Sequence, residues 1–94
     1  MITDLCKYKI VVHGKVQGVF FRDNVHKRAN ELELVGWVRN KMDGTVEIVA
    51  EGTQFALGKL VQFCKEGPQG AQVTRVDVDK FHPTNEFSVF KIRY

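Results

Sequence analysis

The chain has 94 residues, enough for one modest hydrophobic core and too few for two domains, so residues 1–94 are read as a single domain without a linker. With 44% hydrophobic and 27% charged residues, the composition is that of a soluble globular protein, and no apolar run approaches the length of a membrane span. The net charge of +3 is mild and spread along the chain, which suits a small anion or weak nonspecific attraction to nucleic acid and decides neither.

Met1 to Lys7 lacks the apolar stretch of a secretory signal, so a cytoplasmic location is expected. Cys6 and Cys64 lie far apart, with no paired-cysteine motif and no histidine at ligand spacing. They read as reduced, structurally incidental thiols, and no metal site is expected. The first strand is expected over Lys7 to His13, with Tyr8, Ile10 and Val12 on one face and Val11 on the other. Apolar residues on both faces mark a central strand.

Gly14-Lys15-Val16-Gln17-Gly18-Val19-Phe20-Phe21-Arg22 follows, and Phe21, Val25, Ala29 and Leu32 then share one helical face, so the stretch reads as a strand-to-helix loop. Its glycines allow a sharp turn, and the first-turn amides of the helix have no intrahelical partners, so the loop offers N–H groups to an anion at the positive end of a helix dipole. Arg22 adds a planar guanidinium that matches a phosphate or carboxylate bidentately. The spacing is not that of a nucleotide P-loop, because no Gly-Lys-Ser/Thr closes it.

The helix is expected to end near Glu33, before a second strand over Val35 to Asn40. Met42-Asp43-Gly44 signals a tight hairpin into a third strand over Thr45 to Ala50, and the two strands are expected to be antiparallel neighbours. Asn40 ends the second strand. Its amide can bond the backbone of the following turn, or it can orient a water molecule toward an anion held by Arg22. Gly52-Thr53 opens a second helix with Thr53 as N-cap and Leu57, Leu60, Val61 and Cys64 inward. Gly67-Pro68 stops it, the glycine supplying a left-handed cap. A fourth strand over Gln72 to Phe81, a turn at His82 to Asn85 and a last strand over Phe87 to Arg93 complete the chain. This order is an α+β split βαβ arrangement, a largely antiparallel sheet with two helices on one face and a short final strand.

The glycine loop and Gly36-Trp37-Val38-Arg39-Asn40-Lys41-Met42-Asp43-Gly44-Thr45-Val46-Glu47 together resemble the two signature segments of the acylphosphatase family, and the likeness continues through Val49-Ala50-Glu51-Gly52, Gly67-Pro68, Val73 with Val76, and Phe90-Lys91-Ile92-Arg93. The resemblance implies a ferredoxin-like fold and a cofactor-free, metal-free hydrolase that splits acyl phosphates into a carboxylate and inorganic phosphate. It implies Arg22 as the phosphate-binding arginine, Asn40 as the water-positioning asparagine, and Gln17, Gly18, Val19, Phe20 and Phe21 in the phosphate-cradling loop. Glu33 stands where many members have a helix-closing glycine, and Lys41 stands where many have a small hydroxyl or apolar residue.

The chemistry needs few residues. The leaving group of an acyl phosphate is a carboxylate, so its expulsion needs almost no general acid, and what remains is to neutralise and orient the phosphoryl oxygens and place a water in line. A substrate phosphate oxygen is expected to accept the proton of that water. The expected partners are a small acyl phosphate and its inorganic phosphate product, with no specific nucleic acid and no membrane, and the chain is expected to be a monomer. A noncatalytic anion- or RNA-binding module is the alternative, since the same strand order serves RNA-binding domains, but the central strands lack the basic-glycine-aromatic octamer. A carbamoyl-phosphate-binding module of a larger maturation protein is a third reading, and no zinc-binding cysteine extension supports it. His26 reads as a solvent-facing helix residue, Asp23 with Lys27 as an i,i+4 surface pair, Asp43 as a turn residue and Trp37 as core or half-covered surface. His13 and His82 have no partner spaced for a metal.

Overall fold

The computed structural model describes residues 4–94. The elements are β1 (Leu5–Lys15), α1 (Phe21–Glu31), β2 (Val35–Asn40), β3 (Val46–Thr53), α2 (Gln54–Glu66), β4 (Gln72–Phe81) and β5 (Phe90–Arg93). The sheet order is β4-β1-β3-β2-β5, with β2 and β5 parallel and every other pair antiparallel. This is the expected split βαβ fold with a short extra strand.

Side-chain alternation divides the sheet into two faces. Tyr8, Ile10 and Val12 of β1, Val38 of β2 and Val46, Ile48 and Ala50 of β3 are buried in one core with Phe21, Val25 and Ala29 of α1 and Leu57, Leu60 and Cys64 of α2. Each fully buried aliphatic or aromatic side chain there contributes roughly 1.5–3 kcal/mol. The opposite face of β3 carries Glu47, Val49 and Glu51. Arg39 Nε donates to Glu47 at 2.7 Å, and Lys9 Nζ stands 3.5 Å from the same carboxylate. Trp37 is half-buried on that face, with the Arg39 and Arg93 guanidinium carbons 5.3 and 4.8 Å from its ring centre. No helix among the described residues is long and apolar enough to cross a membrane.

Several boundaries differ from expectation. β1 runs from Leu5 to Lys15 rather than Lys7 to His13, because its ends pair with Thr53 of β3 and Gln72 of β4 around a register shift at His13/Gly14. β3 likewise continues to Thr53, three residues past Ala50. β5 begins at Phe90 rather than Phe87. The segment before it is held by side chains instead of a ladder, since the Glu51 carboxylate accepts from Thr84 N, Thr84 Oγ1 and Asn85 N at 3.0, 2.6 and 3.1 Å, and Lys7 Nζ donates to Glu86 at 2.9 Å.

α1 ends at Glu31, before Glu33. Leu34 N reaches Ala29 O at 2.8 Å and Glu33 N reaches Asn30 O at 3.1 Å, which is a Schellman closure with Glu33 at the left-handed position, φ 58°. Thr53 caps α2 as expected, accepting from Ala56 N at 3.1 Å. Gly67 closes that helix at φ 74° and ψ 162°, so it is not the left-handed cap expected but an extended positive-φ conformation open essentially to glycine alone.

Candidate functional site

The loop between β1 and α1, the end of β2 and Tyr94 after β5 meet around one cavity of about 230 Å³, lined by Val16, Gly18, Phe20, Phe21, Arg22, Asp23, Asn40 and Tyr94. Topology makes the meeting. β1 and β2 flank β3, α1 packs over β2 and β5, and the helix therefore starts beside the strand end that carries Asn40.

The loop is built to present amides. Gly18 has φ 77° and Phe20 φ 58°, with Val19 between them outside the left-handed region. Where right- and left-handed residues alternate, successive N–H groups turn toward a common side, a conformation that suits an anion. Phe20 is also the N-cap of α1, and its side chain supplies no capping hydrogen bond. Among the described residues, no acceptor takes the amides of Gln17, Gly18, Val19, Phe20 or Phe21. An anion seated there meets free donors and the positive end of the helix.

Arg22 is half-buried and forms no ion pair among the described residues; the carbon of its guanidinium lies 4.7 Å from the centre of the Tyr94 ring. Asn40 Oδ1 is buried and has no hydrogen-bond partner among the described residues. A buried acceptor left in that state costs about 1–3 kcal/mol, so the expected backbone-bonding role is not what holds this atom. As an acceptor it can take one O–H of a water and leave the lone pair of that water facing the cavity.

The remaining loop residues divide into backbone and packing roles. The Gln17 side chain is turned away from the cavity lining, with Nε2 donating to Lys41 O at 2.7 Å and Thr45 O at 2.9 Å, so it ties the loop to the β2–β3 hairpin. Val19 is half-buried against the core, and Phe21 is buried at the cavity floor with its ring centre 6.4 Å from that of Phe63. In the hairpin itself, Asp43 Oδ1 accepts from Thr45 N and Oγ1 at 3.0 and 2.6 Å, the turn role expected of it. The Thr45 hydroxyl holds the Asp43 carboxyl below its ordinary value.

Sequence reading missed Tyr94 and Asp23 as lining residues. Tyr94 arrives through register, since β5 pairs in parallel with β2 as far as Arg39 with Arg93, which sets Tyr94 beside Asn40. No local pattern signals that. Asp23 and Lys27 do not form the expected i,i+4 pair; the ion pair on α1 is Arg28 with Glu31 at 3.6 Å. His26 is half-buried rather than solvent-facing, its ring centre 6.2 Å from that of Phe90, and does not line the cavity. Among the described residues no group of three or more His, Cys, Asp or Glu side chains is placed to hold a metal ion. Both cysteines are free, and burial pushes the Cys64 thiol up to about 12.

Known proteins resemble the chain in sequence and in fold. The acylphosphatase family profile matches residues 8–92. The acylphosphatase of Pelotomaculum thermopropionicum is 48% identical over 85 residues, which is 90% of this chain and 92% of that protein. The crystal structure of the acylphosphatase from Bacillus subtilis matches with a TM-score of 0.91 at 40% identity, covering 95% of this chain and 99% of that one. An acylphosphatase structure from Coxiella burnetii matches with a TM-score of 0.90, also at 40% identity, over 96% and 94% of the two chains.

Proposed function

Since the chain belongs to the acylphosphatase family, an acyl phosphate is its small-molecule substrate and hydrolysis is its reaction, and we propose that Arg22 and the loop amides hold the phosphoryl group while Asn40 orients the attacking water. One observation supports this above the rest: a cation without an ion-pair partner and a buried acceptor without a hydrogen-bond partner, both among the described residues, line the same cavity.

The water attacks phosphorus, the phosphorus–oxygen bond to the acyl group breaks, and the bonding pair leaves on the carboxylate. A phosphoryl oxygen takes one proton of the water and the attacking oxygen keeps the other, so the products are a carboxylate and dihydrogen phosphate, which then ionises to the solvent. Charge on the phosphoryl oxygens is met by Arg22 and by amides that need no reorganisation at the moment of reaction. Asn40 supplies orientation alone, because an amide neither gains nor loses a proton near neutrality. The carboxylate leaving group makes a Lewis acid unnecessary, so the reaction is assigned to the side chains and amides without a metal.

The single core and single sheet of the described residues support reading residues 1–94 as one domain, and the free, buried Cys64 suits a reducing, cytoplasmic setting. We assign a monomer with no nucleic-acid partner. In support of the latter, the side of the central strand β3 away from the helices carries the buried carboxylates Glu47 and Glu51, and the strand has no aromatic side chain on which a base would stack.

The test is steady-state hydrolysis of benzoyl phosphate in excess chelator. Wild type turns over, and Arg22→Ala loses about 10²- to 10³-fold in kcat/KM with a raised KM, as expected for a lost charge-assisted fork. An unchanged KM in Arg22→Ala would remove Arg22 from phosphate binding.

A further inference from the structure

Phe20 is costly to the fold in two ways. Its backbone sits at φ 58°, a conformation that a bulky side chain rarely adopts, and its ring is 75% exposed, so the strain brings almost no packing in return. Asparagine or glycine would fit that backbone without strain. Tyr94 is 95% exposed, and the Arg22 guanidinium covers one face of its ring. Both rings line the cavity that holds Arg22 and Asn40, whereas the other aromatic in the lining, Phe21, is buried at its floor. The cavity is therefore polar where Arg22, Asn40 and the amides converge and aromatic at its mouth.

A phosphoryl group on the polar side leaves the rest of the substrate nowhere to go but outward, past the two exposed rings. We infer that Phe20 and Tyr94 form the acyl subsite and select acyl phosphates whose acyl group is flat and apolar, aromatic acyl groups above small aliphatic ones. The inference rests on the phosphoryl reading of Arg22 and Asn40. Ring stacking and apolar contact favour a planar acyl group at such a rim, and a short acyl chain reaches neither ring fully.

The experiment compares kcat/KM for benzoyl phosphate with kcat/KM for acetyl phosphate in wild type, Phe20→Asn and Tyr94→Leu, with inorganic phosphate as competitive inhibitor. Asparagine tolerates the left-handed backbone, so Phe20→Asn removes the ring and keeps the loop, and thermal melting confirms that each variant is folded. Dividing each variant's benzoyl-to-acetyl ratio by that of wild type cancels the unequal intrinsic reactivity of the two substrates. The ratio falls about 5-fold in each variant, chiefly through KM for benzoyl phosphate, and phosphate inhibition shifts by a smaller factor. Equal losses on both substrates would overturn the acyl subsite while leaving the phosphoryl site intact. A folded wild type that hydrolyses neither substrate would contradict the phosphoryl reading and the subsite with it.

Discussion

Asn40 and Arg22 differ in what removal should do. Arg22 meets charge that is present in the bound substrate as well as in the transition state, so truncation affects KM and kcat together. In the proposed role Asn40 holds only a water, so its truncation falls on kcat. Asp23 lines the same cavity, one residue along α1 from Arg22. If a phosphoryl oxygen accepts the proton of the water, Asp23→Asn keeps kcat within about twofold across pH 5–8, since that transfer needs no protein base. A loss of two orders of magnitude would give the proton to Asp23 instead. Arg22 was legible in the sequence because a guanidinium after a glycine loop has few bland uses. Phe20 was legible only as part of that loop, since no glycine or asparagine marks its left-handed backbone, and Tyr94 was not legible at all because strand register, 54 positions beyond Asn40, brings it in.

At the level of elements, hydrophobic period located all five strands and both helices, and it failed where side chains rather than ladders decide. Phe87-Ser88-Val89 alternates like a strand, yet Glu51 and Lys7 hold Thr84, Asn85 and Glu86 and leave only Phe90 to Arg93 to pair with β2. Glu33 is the clearest local conflict. It occupies the left-handed position of the α1 closure, where a Cβ is penalised, so Glu33→Gly stabilises the fold by about 1 kcal/mol and raises Tm by roughly 4–8 °C. Gln17 joins two elements. Lys41 O and Thr45 O keep their backbone partners Gly44 N and Lys41 N when its side chain is removed, so Gln17→Ala costs only about 1–2 kcal/mol. Its larger effect is on the distance between the amide cradle and Asn40, seen as a kcat lowered beyond what the melting curve explains.

The molecule as a whole has one packed face and one charged face, and pH acts on the second. Burial alone would raise the Glu47 carboxyl, but the hydrogen bond and charge of Arg39, with Lys9 and Lys41, outweigh it and hold the group below its ordinary 4.5. Burial likewise opposes ionisation of Glu51, and the donors from Thr84 and Asn85 with the charge of Lys7 overcome it and lower that carboxyl too. Depressed carboxyls contribute stability in full above the unfolded value and lose it as pH falls through the folded one. Tm is therefore flat from neutrality to about pH 5 and drops below about pH 4.5 as the unfolded chain takes up protons first, and Glu51→Gln makes the drop shallower; an identical acid limb in that variant would remove Glu51 from the effect. The measurement that tests the proposed division of labour between holding phosphate and aiming water most directly pairs inorganic phosphate affinity with benzoyl phosphate turnover in Asn40→Ala. Phosphate binding within about twofold of wild type, with kcat lowered about 10²-fold or more, is the expected result. Phosphate affinity and kcat falling together would make Asn40 part of the anion cradle and contradict its role with water.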